Sequence, residues 1–442
     1  MEKYLCNYAE PEAREMDALP DQPAWANVMV IPACNEGTSL LRPPPPCDGR
    51  SLMILVINEM ENAAQQVSQR NEALAAAVQA QSIPQWQSGD LSLWRDMNAE
   101  RDVLLVDRFS EGRRLPAKGG VGHARKIGVD IAVALVHAQR IKTRWIHCTD
   151  ADVKLPGTYF TFSNKLQDPL SKYSALVYPF SHRDIGENSA SNDVIQATAL
   201  YELSLRYYVA GMKYARSPYA FHTIGSTMAV SALHYAKVRG FQKREAGEDF
   251  YLLNKLAKVG TVLELESGPD NGVIEITSRR SDRVPFGTGA AVNKITELKD
   301  LVRDFLFYDP AVFELLGVWL GSLQKIWDSG SPGLTMASFS NNSCPENHRQ
   351  ALLAGLEGIK TQQALEHAFR QSKNLDQFTR QMHTWFDAFR TLKLIHFLRD
   401  HCLPSMPYAR LQSNPLFQVL LTKDGDLLAF QESLRKSLQQ KQ

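Results

Sequence analysis

The sequence predicts an α/β protein with a mostly parallel sheet and flanking helices, followed by an α-helical C-terminal domain. From about residue 25, short apolar runs of strand length alternate with longer amphipathic stretches, which is the pattern of an α/β sheet. After about residue 295 the apolar residues instead recur at helical spacing, as in Val312, Leu316, Trp319, Leu320 and Leu323. We therefore expect an N-terminal lead segment at 1–24, an α/β domain at 25–295 and a helical domain at 296–442.

Each element of the α/β domain is predicted from its apolar pattern and its flanking residues. The run at 51–57 is continuous enough to be a strand that is buried on both faces. Strands are predicted at 25–32, 51–57, 102–107, 144–149, 174–179, 221–230 and 261–265. Helices are predicted at 61–81, 122–139, 194–213 and 249–259. The prolines at 43–46 cannot lie inside a helix, because each ring removes a backbone donor and fixes φ, so the first crossover is expected to be mostly loop.

Composition places the chain among ordinary globular proteins. Of its 442 residues, 44% are hydrophobic and 22% charged, which excludes wholesale disorder. The 49 Lys and Arg residues nearly balance the 48 Asp and Glu residues, so no global basic field indicates a nucleic-acid partner. The longest apolar stretches, such as 131–136, are far shorter than the roughly 20 residues that span a bilayer. We expect a cytoplasmic protein without a signal peptide or a transmembrane segment.

The strongest candidate for chemistry is the segment Asp150-Ala-Asp152, which directly follows the predicted strand at 144–149. In an open α/β sheet, ligands bind outside the carboxyl ends of the strands, so both carboxylates are expected to face a binding crevice. Carboxylates placed in this way suit Mg²⁺ or Mn²⁺, which fills its remaining positions with phosphate oxygens and water. A turn or a helix cap is the alternative interpretation of the same tripeptide.

Two further segments carry groups that suit a nucleotide. Pro32 ends the first predicted strand, and Asn35 and Glu36 follow it in a turn. The loop that begins Lys118-Gly119-Gly120 leads into a helix that contains Arg125, so backbone N–H groups and two positive charges can approach a phosphate. This loop matches neither the Walker sequence nor the dinucleotide fingerprint, and a purely structural glycine turn is the alternative.

Two charged segments complete the candidate site. Glu248 and Asp249 begin a predicted helix, where acidic groups offset the helix dipole, but one of them can instead accept a proton from an incoming hydroxyl. Three arginines (Arg279, Arg280 and Arg283) surround Asp282 and can clamp a diphosphate with forked hydrogen bonds. A solvated loop is the competing interpretation of the arginine cluster.

In this order, the segments resemble the family 2 glycosyltransferases of the GT-A fold, a Rossmann-like architecture, and in particular a soluble, bacterial-type member. The resemblance covers roughly residues 26–290. It is carried by the sequences IPACNEG at 31–37, KGGVGHARKIG at 118–128, TDADVKLP at 149–156 and GFQKREAGEDFYLL at 240–253. It implies transfer of a sugar, of the hexosyl type, from a nucleotide-diphosphate sugar to the hydroxyl of an unknown acceptor. It further implies an inverting reaction and a divalent cation, Mg²⁺ or Mn²⁺.

The resemblance also implies roles for individual residues. Asp152 matches the metal-binding aspartate of the family's DXD motif, and Asp150 matches its first aspartate. Pro32, Asn35 and Glu36 would border the nucleotide. Asp249 matches the acidic base that deprotonates the acceptor, with Glu248 beside it to support the geometry.

The chain departs from the family in several places. Asn58 and Glu59 stand where an Asp-Asp-Gly-Ser-like turn is common, so they are the expected substitutes for the aspartate that contacts the base. The sequence contains no Gln-x-x-Arg-Trp segment and no predicted membrane helix, so a processive polysaccharide synthase is not expected. The Arg279–Arg283 cluster lies roughly where the Gln-x-x-Arg-Trp segment would be.

Two other functions stay open. A sugar nucleotidyltransferase would need basic residues directly after the first strand, and 33–37 contains none. A non-catalytic nucleotide-sugar-binding module is the second, and the intact Asp150, Asp152 and Asp249 count against it. The helical domain either shapes the acceptor pocket or mediates assembly into a homo-oligomer.

Overall fold

The computed structural model describes residues 1–166, 172–185, 190–268, 271–281, 287–339 and 344–439. These residues divide into two units. Unit 1 contains Met1–Ile195 and Thr223–Asn293, and unit 2 contains Gln196–His222 and Lys294–Gln442. The predicted boundaries at 24/25 and 295/296 stay predictions. The main predicted feature, an α/β unit with a large sheet, is confirmed in unit 1.

The strands are short and most belong to unit 1. In chain order they are β1 Val28–Ala33, β2 Ser51–Asn58, β3 Ser82–Ser88, β4 Leu91–Asp96, β5 Arg101–Arg108, β6 Trp145–Cys148, β7 Val153–Lys154, β8 Tyr173–Val177, β9 Phe180–Arg183, β10 Met228–Ser231, β11 Thr261–Glu264, β12 Ile274–Thr277, β13 Leu306–Phe307 and β14 Met406–Pro407.

The helices of both units are, in chain order, α1 Glu2–Asn7, α2 Gln65–Ala80, α3 Gly120–His137, α4 Thr161–Lys165, α5 Asn192–Tyr214, α6 Ala232–Lys237, α7 Glu248–Leu256, α8 Thr288–Thr296, α9 Leu301–Asp304, α10 Ala311–Asp328, α11 Glu346–Gly358, α12 Thr361–Gln371, α13 Leu375–Trp385, α14 Ala388–His401, α15 Tyr408–Gln412, α16 Pro415–Lys423 and α17 Gly425–Gln439. Among the described residues, 3₁₀ segments lie at Pro11–Ala18, Thr38–Leu41, Gly225–Thr227 and Met336–Ser338. In the part of the chain that the structure describes, no helix is long and apolar enough to cross a membrane.

The main sheet of unit 1, as far as the described residues show it, has nine strands in the order β11-β8-β10-β6-β1-β2-β5-β4-β3. Its centre, β6-β1-β2-β5, is entirely parallel, while β10 and β4 run against their neighbours. Every residue of β1 and β2 is buried, as expected for central strands covered on both faces. The first crossover, between β1 and β2, contains one 3₁₀ turn among loop residues, which confirms the prediction from the proline run.

A second, smaller sheet of unit 1 has the order β7-β12-β9. In it, β12 pairs antiparallel with β7, with Ile276 opposite Val153. Because β7 begins directly after Asp152, this pairing brings the end of β12 to the aspartate segment. Strands β7, β9 and β12 are not predicted from the sequence, because each is only two to four residues long.

Helix α3 lies against the centre of the main sheet, and most of its residues are buried. Gly128 makes this close approach possible, because a Cβ there would lie 2.4 Å from Cγ1 of Val30. At the start of the helix, Gly120 has a φ of 54° and its missing Cβ would lie 2.4 Å from the Cα of Glu245. Gly128 thus brings α3 close to the sheet, and Gly120 brings the start of the helix close to the backbone of the segment before α7.

Unit 2 is helical in its described residues, apart from the short β13–β14 pair. The helical spacing predicted from Val312, Leu316, Trp319 and Leu323 is confirmed, since all four are buried on one side of α10. The neighbouring Leu320 is half-buried.

Candidate functional site

The candidate site lies where the loops that follow β1, β6 and β12 meet. β1 and β6 are adjacent and parallel, so Asn35 and Glu36 after β1 and the aspartates after β6 emerge at the same edge of the sheet. A cavity of about 410 Å³ opens there in unit 1. Its charged lining consists of Arg42, Arg70, Arg279, Arg280, Glu36 and Asp152.

Arg279 joins the two carboxylates of this cavity. Its Nη2 lies 2.9 Å from Oε1 of Glu36 and 2.7 Å from Oδ2 of Asp152, and its Nη1 donates to Oε2 of Glu36 at 3.3 Å. Thr277, at the end of β12, donates its hydroxyl to the carbonyl of Asp152 at 2.6 Å. The small sheet therefore holds Arg279 against a residue that is distant in sequence.

The cavity is positively charged overall. Its described lining contains four arginines and two carboxylates, which gives a net charge of +2. Arginine forms forked hydrogen bonds with phosphate, and a charged concave site concentrates the field on a bound anion. The cavity therefore suits an anion with more than one negative charge.

A second, deeper cluster centres on Arg125 of α3. Its Nη2 donates to Oδ1 of Asp150 at 2.8 Å, its Nε lies 3.1 Å from Oε1 of Glu248, and Nη1 donates to the carbonyl of Gly225. Burial alone would lower the pKa of this guanidinium, but the carboxylates of Asp150 and Glu248 raise it, so it stays charged. Arg125 thus links the aspartate segment after β6 to the start of α7.

Glu248 and Asp249 are the first residues of α7. Gly247 precedes them with a φ of 72°, a left-handed conformation that turns the chain into the helix. Burial raises the pKa of Glu248 to about 7, although Arg125 opposes the shift. Burial also raises the pKa of Asp249, although the charge of Arg125 lowers it. The N–H of Phe250 lowers this pKa as well, because it donates a hydrogen bond to Oδ1 of Asp249 at 2.7 Å. A raised pKa makes a carboxylate a stronger proton acceptor.

The other predicted donor-site residues of the first two strands have protein contacts. Pro32 is buried within β1. Asn35 has a φ of 57° and its N–H donates to Oδ1 of Asn71. Asn58 is buried and donates to the carbonyl of Ala33 at 3.1 Å. Glu59 is fully buried, where it accepts a hydrogen bond from Ser68 at 2.7 Å.

The remaining predicted residues are divided between surface and interior. Lys118 is exposed and Gly119 is buried. Arg283 lies outside the described residues, so its predicted place in the arginine cluster stays a prediction. Arg42 and Arg70 also line the cavity but are not predicted from the sequence. Neither lies in a recognisable motif, and only the fold brings them to this edge.

Asp152 and Glu36 form the donor set in this cavity that suits a hard cation. Both are oxygen ligands, and one nitrogen of Arg279 already contacts both carboxylates, so a single cation can reach them together. Mg²⁺ and Mn²⁺ are commonly held by one or two carboxylates and completed by phosphate oxygens. Among the described residues there is no group of three or more His, Cys, Asp or Glu side chains that would hold a metal by itself.

No protein-family model matches the chain, and no curated protein matches it. Among solved structures, the chain is similar to the mannosyltransferase PcManGT from Pyrobaculum calidifontis, in complex with GDP-Man and Mn²⁺. The identity is 15% and the TM-score 0.33, with 100% of this chain and 96% of that chain covered. A likeness of this degree carries no argument about the function of this chain.

Proposed function

We propose that the chain is a metal-dependent, inverting GT-A glycosyltransferase of the family 2 type, which moves a sugar from a nucleotide-diphosphate sugar to an acceptor hydroxyl. The observation that carries this proposal is the link through Arg125. Asp150 and Glu248 belong to segments about a hundred residues apart, and both contact this one buried guanidinium. The two acidic segments on which the sequence resemblance depends therefore adjoin in unit 1.

The positively charged cavity is the proposed diphosphate site. A diphosphate within a nucleotide sugar carries two negative charges, and the excess of arginines over carboxylates in the described lining favours such an anion. Arg42, Arg70 and Arg280 approach it from the exposed rim. Asp152 and Glu36 would hold a divalent cation, which offsets the charge that develops on the leaving diphosphate.

Asp249 is the proposed general base. Its carboxylate accepts the proton of the acceptor hydroxyl as the oxygen attacks the anomeric carbon, and a raised pKa strengthens it as a base. Glu248 does not share this role, because its carboxyl group is directed at Arg125. It keeps α7, and with it Asp249, in place beside the aspartate segment.

The test is hydrolysis and transfer with a panel of nucleotide sugars, with and without Mn²⁺. We expect Mn²⁺-dependent release of a nucleoside diphosphate from at least one donor. Release of pyrophosphate from a sugar phosphate and a nucleoside triphosphate would instead identify a nucleotidyltransferase. Binding of donors with no turnover in the presence of any acceptor would identify a binding module.

Two variants separate the proposed roles. Asp249→Asn is expected to lower kcat by about 10²- to 10⁴-fold, because a general base usually contributes a factor of this size. Donor binding is expected to stay unchanged. Asp152→Asn is expected to abolish Mn²⁺-dependent donor binding in calorimetry. Glu275→Gln is the matched control, because Glu275 lies on β12 outside the cavity and pairs with Lys154. Unchanged activity in either aspartate variant would contradict its role.

A further inference from the structure

The guanidinium of Arg279 occupies the position between the two carboxylates that are proposed to hold the divalent cation. It contacts Glu36 through two nitrogens and Asp152 through one of these two. All three side chains are partly accessible, with exposed fractions of 34% for Arg279, 19% for Asp152 and 11% for Glu36. One positive charge therefore already lies between the two acids in the ligand-free protein.

A metal ion and this guanidinium compete for the same oxygens. Mg²⁺ and Mn²⁺ require close contact with their ligands, at about 2.0–2.1 Å for Mg²⁺. The nitrogen of Arg279 lies directly against the oxygen of Asp152 that would provide such a contact. A metal bound at this oxygen would bring two cations close together unless Arg279 moves away.

We propose that Arg279 is an internal cation that holds Glu36 and Asp152 in the ligand-free protein and moves to the diphosphate when donor and metal bind. The inference rests on the proposed function, and it concerns how that site is loaded. Before the exchange, Arg279 faces two carboxylates; afterwards the metal faces the carboxylates and Arg279 faces phosphate oxygens. Each charged group keeps an opposite partner, so the exchange leaves no charge unpaired.

The backbone around Arg279 needs no rearrangement for this exchange. Thr277 stays fixed through β12, and the N–H of Ser278 donates to the carbonyl of Arg183 at 2.9 Å. The side chain of arginine is long and flexible, and ion pairs between partly exposed groups are weak individually. The exchange is therefore a movement of one side chain within the cavity.

Mn²⁺ binding to the full chain without any nucleotide tests the first half of the proposal. Arg279→Gln removes the competing charge and is expected to bind Mn²⁺ about tenfold more tightly than the wild type, since two partly exposed ion pairs no longer have to be broken. Arg399→Gln is the matched control, because Arg399 is 33% exposed, close to the 34% of Arg279, also pairs with a carboxylate, that of Asp400, and does not line the cavity. Its Mn²⁺ affinity is expected to equal that of the wild type.

Inorganic pyrophosphate tests the second half, because it provides the diphosphate without base or sugar. In the wild type, pyrophosphate is expected to raise the Mn²⁺ affinity at least tenfold, since it receives Arg279. In Arg279→Gln this gain should be clearly smaller, because the carboxylates are already accessible and only the direct coordination of Mn²⁺ by phosphate oxygens remains. Arg279→Lys keeps the positive charge but cannot form the forked hydrogen bonds of a guanidinium. We therefore expect the Mn²⁺ affinity of this variant to return towards that of the wild type.

Equal Mn²⁺ affinities of the wild type and Arg279→Gln, with both proteins folded by circular dichroism, would overturn the proposal. So would an equal gain from pyrophosphate in the two proteins. Failure of the proposed function gives a different result: no nucleotide sugar is bound or hydrolysed, regardless of the Mn²⁺ affinities of the wild type and the variants. The Mn²⁺ titrations, followed by electron paramagnetic resonance, need no knowledge of the donor.

Discussion

The Nε of Arg125 lies 3.1 Å from Oε1 of Glu248, and neither side chain is more than 5% exposed. This ion pair connects α3, which carries the glycine-rich loop, with α7, which begins with the proposed base. Because Arg125 also contacts Asp150, its charge balances acids from two loops of the site. The arginine that the sequence analysis predicted to bind the donor therefore has protein carboxylates as partners.

Arg125→Gln is expected to destabilise the protein by about 3–5 kcal/mol at pH 8, because it leaves the buried Glu248 carboxylate without its counter-charge. The measurement is urea unfolding of the full chain. In the double variant Arg125→Gln/Glu248→Gln the loss should be smaller than in Arg125→Gln alone. If the losses of the two single variants simply add in the double variant, the pair is not coupled.

The pKa of Glu248 gives a second prediction, about the effect of pH on stability. Burial raises this pKa from 4.5 to about 7 in the folded chain, whereas the unfolded chain releases the proton near 4.5. Between these values the folded chain binds more protons, so the free energy of unfolding falls as the pH rises, by at most about 1.4 kcal/mol per pH unit. In Glu248→Gln this fall between pH 5 and 7 should be shallower.

The control for the pH prediction is Glu275→Gln, whose carboxylate lies on β12 and pairs with a lysine. Urea unfolding at pH 5, 6, 7 and 8 is expected to give the wild-type slope in this variant. Asp249 contributes a slope of the same sign, because its pKa is also raised, so Glu248→Gln should reduce the slope without abolishing it. An unchanged slope in Glu248→Gln would contradict the raised pKa.

The sequence predicted the centre of the fold because its signals are local. β1, β2, β5 and β6 are apolar runs, and the rule that ligands bind at the carboxyl ends of strands placed Glu36 and Asp152 at one edge. The β3–β4 hairpin was missed, since Pro84 and several polar residues within β3 obscure its alternating pattern. The approach of Arg279 to Asp152 was also missed, because it depends on the pairing of the short β7 and β12, which are far apart in sequence.

The direction in which a polar side chain points was the least predictable feature. Asn58 and Glu59 follow β2 just as the aspartates follow β6, yet both are buried among Ala33, Ser68 and Asn71. Spacing along the chain places a residue at the edge of the sheet but does not decide whether it faces the cavity or a neighbouring helix. That choice depends on packing between α2 and the sheet.

Gly128 provides a third prediction, because α3 rests on β1 at this residue. Gly128→Ala adds a Cβ that would lie 2.4 Å from Val30 and 3.1 Å from Val56, and overpacking of this kind costs about 1–3 kcal/mol. Urea unfolding should show a lower midpoint with an unchanged m-value. Adding Val30→Ala should recover part of the loss, because it removes the methyl group that clashes.

The control for this prediction is Gly157→Ala, since no atom lies within 4 Å of a Cβ built there. Its midpoint is expected to stay within about 0.5 kcal/mol of the wild type. If both variants lose the same stability, the cost comes from replacing glycine and not from contact with β1.

The N-terminal residues 1–24 contribute to a buried polar network on α3. Asp130 accepts hydrogen bonds from the hydroxyl groups of Tyr4 at 2.5 Å and Tyr235 at 3.0 Å, and from the N–H of Glu10 at 2.8 Å. Lys126 lies 2.6 Å from the same carboxylate. From the sequence, Lys126 and Asp130 resemble an ordinary pair on a helix surface, and only the contact with the first residues of the chain makes them interior.

The last prediction tests whether this network fixes the N-terminal segment. Tyr4→Phe removes one hydrogen bond to a buried carboxylate and is expected to lower the free energy of unfolding by about 1.5–3 kcal/mol. Tyr8→Phe is the matched control, because Tyr8 is 37% exposed and its hydroxyl makes no hydrogen bond with the described residues. The stability of this variant should change by less than about 0.5 kcal/mol. Limited proteolysis should cleave residues 1–24 faster in Tyr4→Phe than in Tyr8→Phe. Equal stability and equal cleavage in the two variants would show that the hydroxyl of Tyr4 does not hold the segment.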